Sequence, residues 1–171
     1  MTPSDIIEAV RGHSPDSVTE AFADDLHPRL HTESAHWRTM ARFLHDDPAL
    51  AFDWLGCLTG IDYVADDKLC AIYDLYATSH DHWFAIKVYT ARANPRIPSV
   101  ADLWPAANWH EREAYDMVGI QFEDHPDLRR ILLPEDWEGF PLRKDYRFPR
   151  EYHGIPGTYE LDWQQKTNYP A

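Results

Sequence analysis

LCAIYDLYATSHDHWFAIKVYTA, residues 69–91, holds two apolar runs, Leu69–Thr78 and Trp83–Ala91, on either side of Ser79-His80-Asp81-His82. In the second run Phe84, Ile86 and Val88 alternate with Ala85, Lys87 and Tyr89, the two-residue period of a half-buried strand. In the first, both alternating sets are largely apolar, which places that strand centrally in a sheet. An antiparallel hairpin follows, with His80-Asp81-His82 as an exposed turn.

Working outward, Ser4-Asp5 caps a short helix over Ile6, Ile7, Ala9 and Val10, ended by Gly12 and Pro15. Val18 to Leu30 reads as one or two short strands. Thr32 or Ser34 caps a helix over about Glu33 to His45, where Trp37, Met40, Ala41 and Leu44 share one face, stopped by Asp46-Asp47-Pro48. Leu50 to Trp54 is predicted as a strand, and Leu55 to Asp62, with Gly56 and Gly60, as a turn-rich passage. After the hairpin, Pro95 and Pro98 close the sheet region and Ser99 starts a short helix. Pro105 opens a longer one, Ala106 to Val118, that Gly119 stops. Prolines 126, 134, 141, 149 and 156 then forbid any long helix. The expected fold is α+β: a single domain with a mainly antiparallel sheet, packed helices and an extended irregular C-terminal arm. The expected division is 1–126 for the globular part and 127–171 for a docking arm and tail.

Composition sets limits. The chain has 171 residues, 44% of them hydrophobic, enough for one real core. A formal charge of −13 disfavours binding to nucleic acid, whose phosphates need a cationic footprint. Of 16 Lys and Arg, six lie between 129 and 150 (Arg129, Arg130, Arg143, Lys144, Arg147, Arg150), a basic segment on an acidic protein. Cys57 and Cys70 form no CxxC pair, so neither a zinc site nor a thiolate-held iron–sulfur cluster finds its ligands. The seven glycines are scattered and write neither GxGxxG nor GxxxxGK[ST]. No apolar run approaches the roughly 20 residues of a membrane helix, and Met1 to Arg11 lacks the pattern of a signal peptide, so a cytoplasmic protein is expected.

The stretch Asn108 to Tyr146 concentrates the chemistry. His110, Glu113 and Asp116 are three apart in succession and can form one stripe of metal ligands on a helix, although Arg112 lies among them and no second helix offers a matching set. No serine sits in GxSxG, and neither cysteine has a charged neighbour to activate it. Arg112 and Asp116, four apart, form at most an exposed pair worth about 0.3–0.5 kcal/mol if the helix face is solvated. The sharper reading is that the helix carboxylates pair with Arg129 and Arg130 and clamp the arm to the helix. Within the arm, Leu132, Leu133, Trp137, Phe140, Leu142, Tyr146 and Phe148 are interleaved with Arg and Pro, a composition suited to a protein interface.

These residues also carry a family pattern. Glu111-Arg112-Glu113, Asp116-Met117, Gly119-Ile120 and Phe122 are followed by His125-Pro126-Asp127-Leu128 and Arg130-Ile131-Leu132. Pro134, Trp137, Gly139 and Pro141-Leu142-Arg143-Lys144-Asp145-Tyr146 complete the set, with Pro98-Ser99-Val100, Trp104 and Ala107-Asn108-Trp109 upstream. The chain thereby resembles the 30 kDa (C) subunit family of proton-pumping NADH:quinone oxidoreductase, respiratory complex I. The resemblance implies a non-redox subunit of the peripheral arm on the cytoplasmic side of the inner membrane, packed against the quinone-site (D) subunit and neighbouring iron–sulfur subunits. NADH, FMN, the iron–sulfur clusters and quinone would belong to those partners. It also implies a docking and structural set of Glu111, Arg112, Glu113, Asp116, Gly119, His125, Pro126, Arg130, Trp137, Arg143, Lys144, Asp145 and Tyr146, with no catalytic, cofactor-binding or metal-ligating residue. Glu111, Glu113 and Asp116 would hold the arm, and Arg130, Arg143 and Lys144 would bond the body or a partner. Energy-converting hydrogenases and ferredoxin- or F420-linked complexes carry related domains. A stand-alone metal-dependent enzyme using His110, Glu113 and Asp116 is the competing class.

Overall fold

The hairpin of residues 69–91 forms the middle of the sheet in the computed structural model, which describes residues 1–156. Its strands are β4 (Lys68–Ala77) and β5 (His82–Ala91), paired antiparallel from Lys68↔Ala91 to Ala77↔His82. With β1 (Glu20–Phe22), β2 (Arg29–Glu33) and β3 (Trp54–Tyr63) they make a five-stranded sheet in the order β1-β2-β5-β4-β3. Only the β2–β5 pair is parallel. The expected α+β class with a mainly antiparallel sheet is therefore what the chain adopts. The last fifteen positions of the expected arm and tail, 157–171, lie outside the described residues.

The strand before the hairpin corrects the sequence reading. Of Leu50 to Trp54 only Trp54 is in a strand: Ala51 has φ 44°, and the N–H groups of Leu50 and Ala51 both return to the carbonyl of Asp47. The strand is the stretch expected to be turn-rich, because its two glycines serve packing rather than turning. Gly56 is the extra residue at a register shift between Leu55 and Cys57. At Gly60 an added Cβ would lie 3.0 Å from Val118 of α3 (Ala107–Val118), so the missing side chain is what lets that helix approach the sheet.

The helices share one face. Trp37, on α2 (Ser34–Asp46), packs on Tyr73 with ring centres 4.2 Å apart and the planes tilted by 37°, and Tyr73 alternates onto the same face as Ala71, the partner of Gly60 beneath α3. Helix α1 (Pro3–His13) adds Ile6, Ile7 and Val10 to this core. Its cap is Thr2, in a reciprocal capping box with Asp5, rather than Ser4-Asp5. Neither Thr32 nor Ser34 caps α2, whose preceding residue Glu33 makes no side-chain cap bond. Trp37, Trp104, Tyr73 and Phe52 are the largest fully buried side chains, and the Trp104 indole donates to the Phe52 carbonyl at 2.8 Å. His82 is not an exposed turn residue but starts β5 facing this core, with Nε2 at 3.1 Å from the Leu50 carbonyl.

Two further expectations fail locally. Residues 99–103 form a turn instead of a short helix, because the Ser99 hydroxyl and the Val100 N–H both donate to Glu111 on α3. The segment after Gly119 is not wholly irregular: β7 (Gln121–Glu123) pairs in parallel with β6 (Arg96–Pro98), and a small hairpin joins β8 (Glu151–Tyr152) to β9 (Ile155–Pro156).

Gly60→Val forces side-chain volume between β3 and α3 and is expected to destabilise the chain by about 1–3 kcal/mol in urea unfolding. Gly12→Ala adds a methyl where nothing lies within 4 Å, inside α1, and is expected to stabilise by roughly 0.5–1 kcal/mol in the same measurement.

Candidate functional site

Helix α3 ends where Gly119, at φ 83°, sends its N–H back to the carbonyls of Ala114 and Tyr115. The chain then passes through β7 and returns over the helix, so the acids of α3 meet the arm at close range. The four acids and bases grouped by sequence take four different roles.

Asp116 is fully buried and fastens the arm. Its Oδ2 accepts the N–H groups of Ile131 at 3.0 Å, Leu132 at 2.7 Å and Leu133 at 2.9 Å, while Oδ1 accepts Arg130 Nη1 at 2.7 Å. Burial alone would push this carboxyl up, but those N–H groups and the guanidinium together hold it below the usual carboxylate range. Arg130 bridges onward, donating also to the carbonyls of Asp116, Trp137 and Gly139. Arg112 does not pair with Asp116: it is buried, and donates to the carbonyls of Arg129 and Arg130, each at 3.2 Å. The solvated-face reading is thus replaced by the clamp for Asp116, and by an arginine-to-backbone strap for Arg112.

Glu111 serves the body instead. It accepts the Ser99 hydroxyl at 2.6 Å and the Val100 N–H at 2.9 Å, and none of its surface is exposed. Burial raises its carboxyl to about 7, with those two donors opposing the shift. His125 lies 3.8 Å away, yet forms no ion pair with it. Its Nε2 donates to the Asn108 carbonyl and its Nδ1 accepts the Asp127 N–H, which together require the neutral ring; burial also lowers its affinity for a second proton. Glu113 is exposed and makes no hydrogen bond to the arm among the described residues, contrary to its expected part in holding it. His110, Glu113 and Asp116 do not gather as ligands, since Asp116 gives both oxygens to the arm.

A second fastening, missed by the sequence reading, joins the arm to the sheet. Asp62, its side chain wholly buried, accepts Arg92 Nε at 2.8 Å and Nη2 at 3.1 Å, and also the N–H of Lys144 at 2.9 Å. The Arg92 guanidinium beside it holds the Asp62 carboxyl low and reaches Asp145 as well. Lys144 thus contributes its backbone here. The signal existed: once Leu58, Gly60 and Asp62 are read as alternate residues of one strand, a carboxylate stands on the core face and needs a cation. Between the two fastenings, Leu142 N–H donates to the Met117 carbonyl and Arg143 Nε to the Val118 carbonyl. Phe140 lies against Gly119 and beneath the guanidinium groups of Arg143 and Arg130, at 5.0 and 5.5 Å. Tyr146 closes the loop, its hydroxyl donating to the Glu138 carbonyl. Trp137 is half-buried and Pro126 exposed.

Fold and site define a helix-backed sheet protein that carries a strapped arm. The chain belongs to the family described as the 30 kDa subunit of respiratory-chain NADH dehydrogenase, which its residues 30–152 match. It is 46% identical over 154 residues to the C subunit of NADH-quinone oxidoreductase from Chlorobium phaeobacteroides, covering 89% of this chain and 93% of that one. It is 47% identical over 146 residues to the corresponding protein of Chloroherpeton thalassium, where the match covers 84% of this chain but spans only 60% of the relative's length. Among solved structures, a trypsin-resistant fragment of Nqo5 superposes with TM-score 0.62 at 28% identity, over 75% of this chain and all (100%) of the fragment. A chain of an archaeal respiratory membrane complex, the membrane-bound sulfane sulfur reductase, shares the fold with TM-score 0.74 at 18% identity, over 100% of this chain and 96% of that chain.

Because the folded chain holds the Glu111 proton more tightly than the unfolded chain does, that group's contribution to stability is complete below about pH 4.5 and is lost as pH rises toward 7. The loss is on the order of 3 kcal/mol, and urea unfolding of Glu111→Gln across this window is expected to flatten the dependence. Asp116→Ala leaves Arg130 and the turn at 131–133 without their acceptor. It is expected to open the arm to limited proteolysis and to cost roughly 3–5 kcal/mol.

Proposed function

We propose that this chain is a structural and assembly subunit, without a redox centre of its own, of the peripheral arm of a proton-translocating NADH:quinone oxidoreductase. It sits beside the quinone-site subunit and the iron–sulfur subunits, on the cytoplasmic side of the membrane. NADH, FMN, iron–sulfur clusters and quinone are held by those partners, and catalysis belongs to the complex. The family and the shared name of its relatives support this reading. Among the described residues no helix is long and apolar enough to cross a membrane.

The observation that carries the docking role is the arm's division of labour. The N–H groups of residues 131–133, 142 and 144 and the guanidiniums of Arg130 and Arg143 are turned inward on Asp116, Asp62 and the α3 carbonyls, while Leu132 and Leu142 remain 61% and 59% exposed. Large apolar side chains on a pre-fixed segment suit an interface, because little conformational freedom is left to lose on binding. Residues from 127 onward act as this docking unit and those before as its support. Arg130 and Asp145, bonded within the chain, act by shaping the arm, and the contacts to partners fall to its apolar residues.

A tagged chain purified from cells is expected to bring down the quinone-site subunit and iron–sulfur subunits; recovery of the chain alone would overturn the proposal. Leu142→Asp and Leu132→Asp are expected to lower that recovery several-fold. The thermal midpoint of the isolated chain should stay within a few degrees.

A further inference from the structure

The face of the sheet opposite the helices carries an aromatic row. Trp54, Tyr76 and Trp83 are direct cross-strand partners on β3, β4 and β5, with the Tyr76 and Trp83 rings stacked at 4.4 Å. Trp54 is 57% exposed and Trp83 56%, and the nearby loop adds Leu26 at 87%. Beside the row lies a cavity of about 350 Å³ whose lining includes His27, Pro28, Cys57, Asp74, Trp83 and Ala85.

Asp74 is the charged group of this cavity, and its carboxylate has no partner among the described residues. Half-buried, it makes no hydrogen bond or ion pair with another described residue. The cations nearest in the sheet register point elsewhere: Arg29 pairs with Asp25 at 2.7 Å and covers the Phe22 ring, and Lys87 reaches the Tyr63 hydroxyl at 3.4 Å. Burial raises the Asp74 carboxyl, and among its neighbours only His27 opposes the shift. The sheet is locally shaped for this cavity. Gly56 is the bulged residue immediately before Cys57, the partner of Asp74, and an added Cβ there would lie 2.9 Å from the Trp83 ring. The bulge and the missing side chain seat that indole as a wall of the cavity.

We propose that this cavity receives an arginine side chain presented by an extended segment of a neighbouring protein, its guanidinium bonded to Asp74 and lying against Trp83. The chemistry is complementary: an unpaired carboxylate and an indole face meet a planar cation that forks onto the one and stacks on the other. Exposed tryptophans and an awaiting charge are also the usual makings of a binding hot spot. The surface lies across the sheet from the arm, so it adds a second contact to the docking role proposed above, and rests on that reading only for the partner's membership of the complex.

The cavity is tested on the full isolated chain with acetyl-Gly-Arg-Gly-amide, against the same peptide with citrulline in place of arginine. Tryptophan indole N–H resonances report binding, and Trp83→Phe assigns the signal. The arginine peptide is expected to shift the Trp83 resonance in roughly the millimolar range. The citrulline peptide should not, and Asp74→Asn should weaken the effect by roughly tenfold or more. Equal shifts by both peptides, an unchanged response in Asp74→Asn, or no shift at all would overturn it. In the purified complex, benzoylphenylalanine at Trp54 is expected to crosslink to a polypeptide segment containing arginine, and crosslinking only to lipid would count against the inference. Failure to recover any complex would instead strike the proposed function, since the peptide titration does not depend on it.

Discussion

A single carboxylate, that of Asp116, organises the C-terminal part of this protein. In a buried setting an unpaired charge is untenable, and three backbone N–H groups with one guanidinium remove that cost by drawing Ile131, Leu132 and Leu133 into a tight turn around it. The turn fixes Arg130, and Arg130 then fixes the carbonyls of Trp137 and Gly139. A segment with almost no regular secondary structure is thus held in one shape by a chain of charge-assisted bonds. Elsewhere in the arm the Lys144 N–H finds Asp62, and the Leu142 N–H finds the open Met117 carbonyl at the end of α3.

The division between Glu111 and Asp116 shows how environment separates two acids on one helix. Both are fully buried. Asp116 has a guanidinium and a fan of N–H groups, so its charge is welcome. Glu111 has one hydroxyl, one N–H and a neutral imidazole at 3.8 Å, and burial prevails. The first acid ties arm to body. The second ties α3 to the turn at Ser99 that precedes it.

Much of this was legible in the sequence, and the failures have physical causes. The hairpin, the helix over Trp37 to Leu44 and the helix ending at Gly119 were readable because each has a long periodic pattern with a recognisable stop. β3 was not, since Gly56 and Gly60 look like turn signals until the Trp83 ring and α3 are known to need the space. That one misreading also hid Asp62, and with it Arg92, because a core-facing acid cannot be noticed in a stretch read as a turn. The clamp between α3 and the arm was inferable from charge and order alone. Which acid made it was not, because Glu111, Glu113 and Asp116 share one helix and are told apart only by what covers each, the turn at Ser99 for Glu111 and the bend at 131–133 for Asp116, neither of which the sequence revealed.

The bond between Asp62 and Lys144 joins positions 82 residues apart. Closing so long a loop is slow and entropically costly, and the Arg92 that orients Asp62 must itself already be in place at the end of β5. The dependence runs one way: the Lys144 N–H has its acceptor only where β3 and the end of β5 have already met to place Asp62 beside Arg92. The shape of the arm thus reports on the body: its exposed leucines are held in place only on a sheet that has already closed correctly.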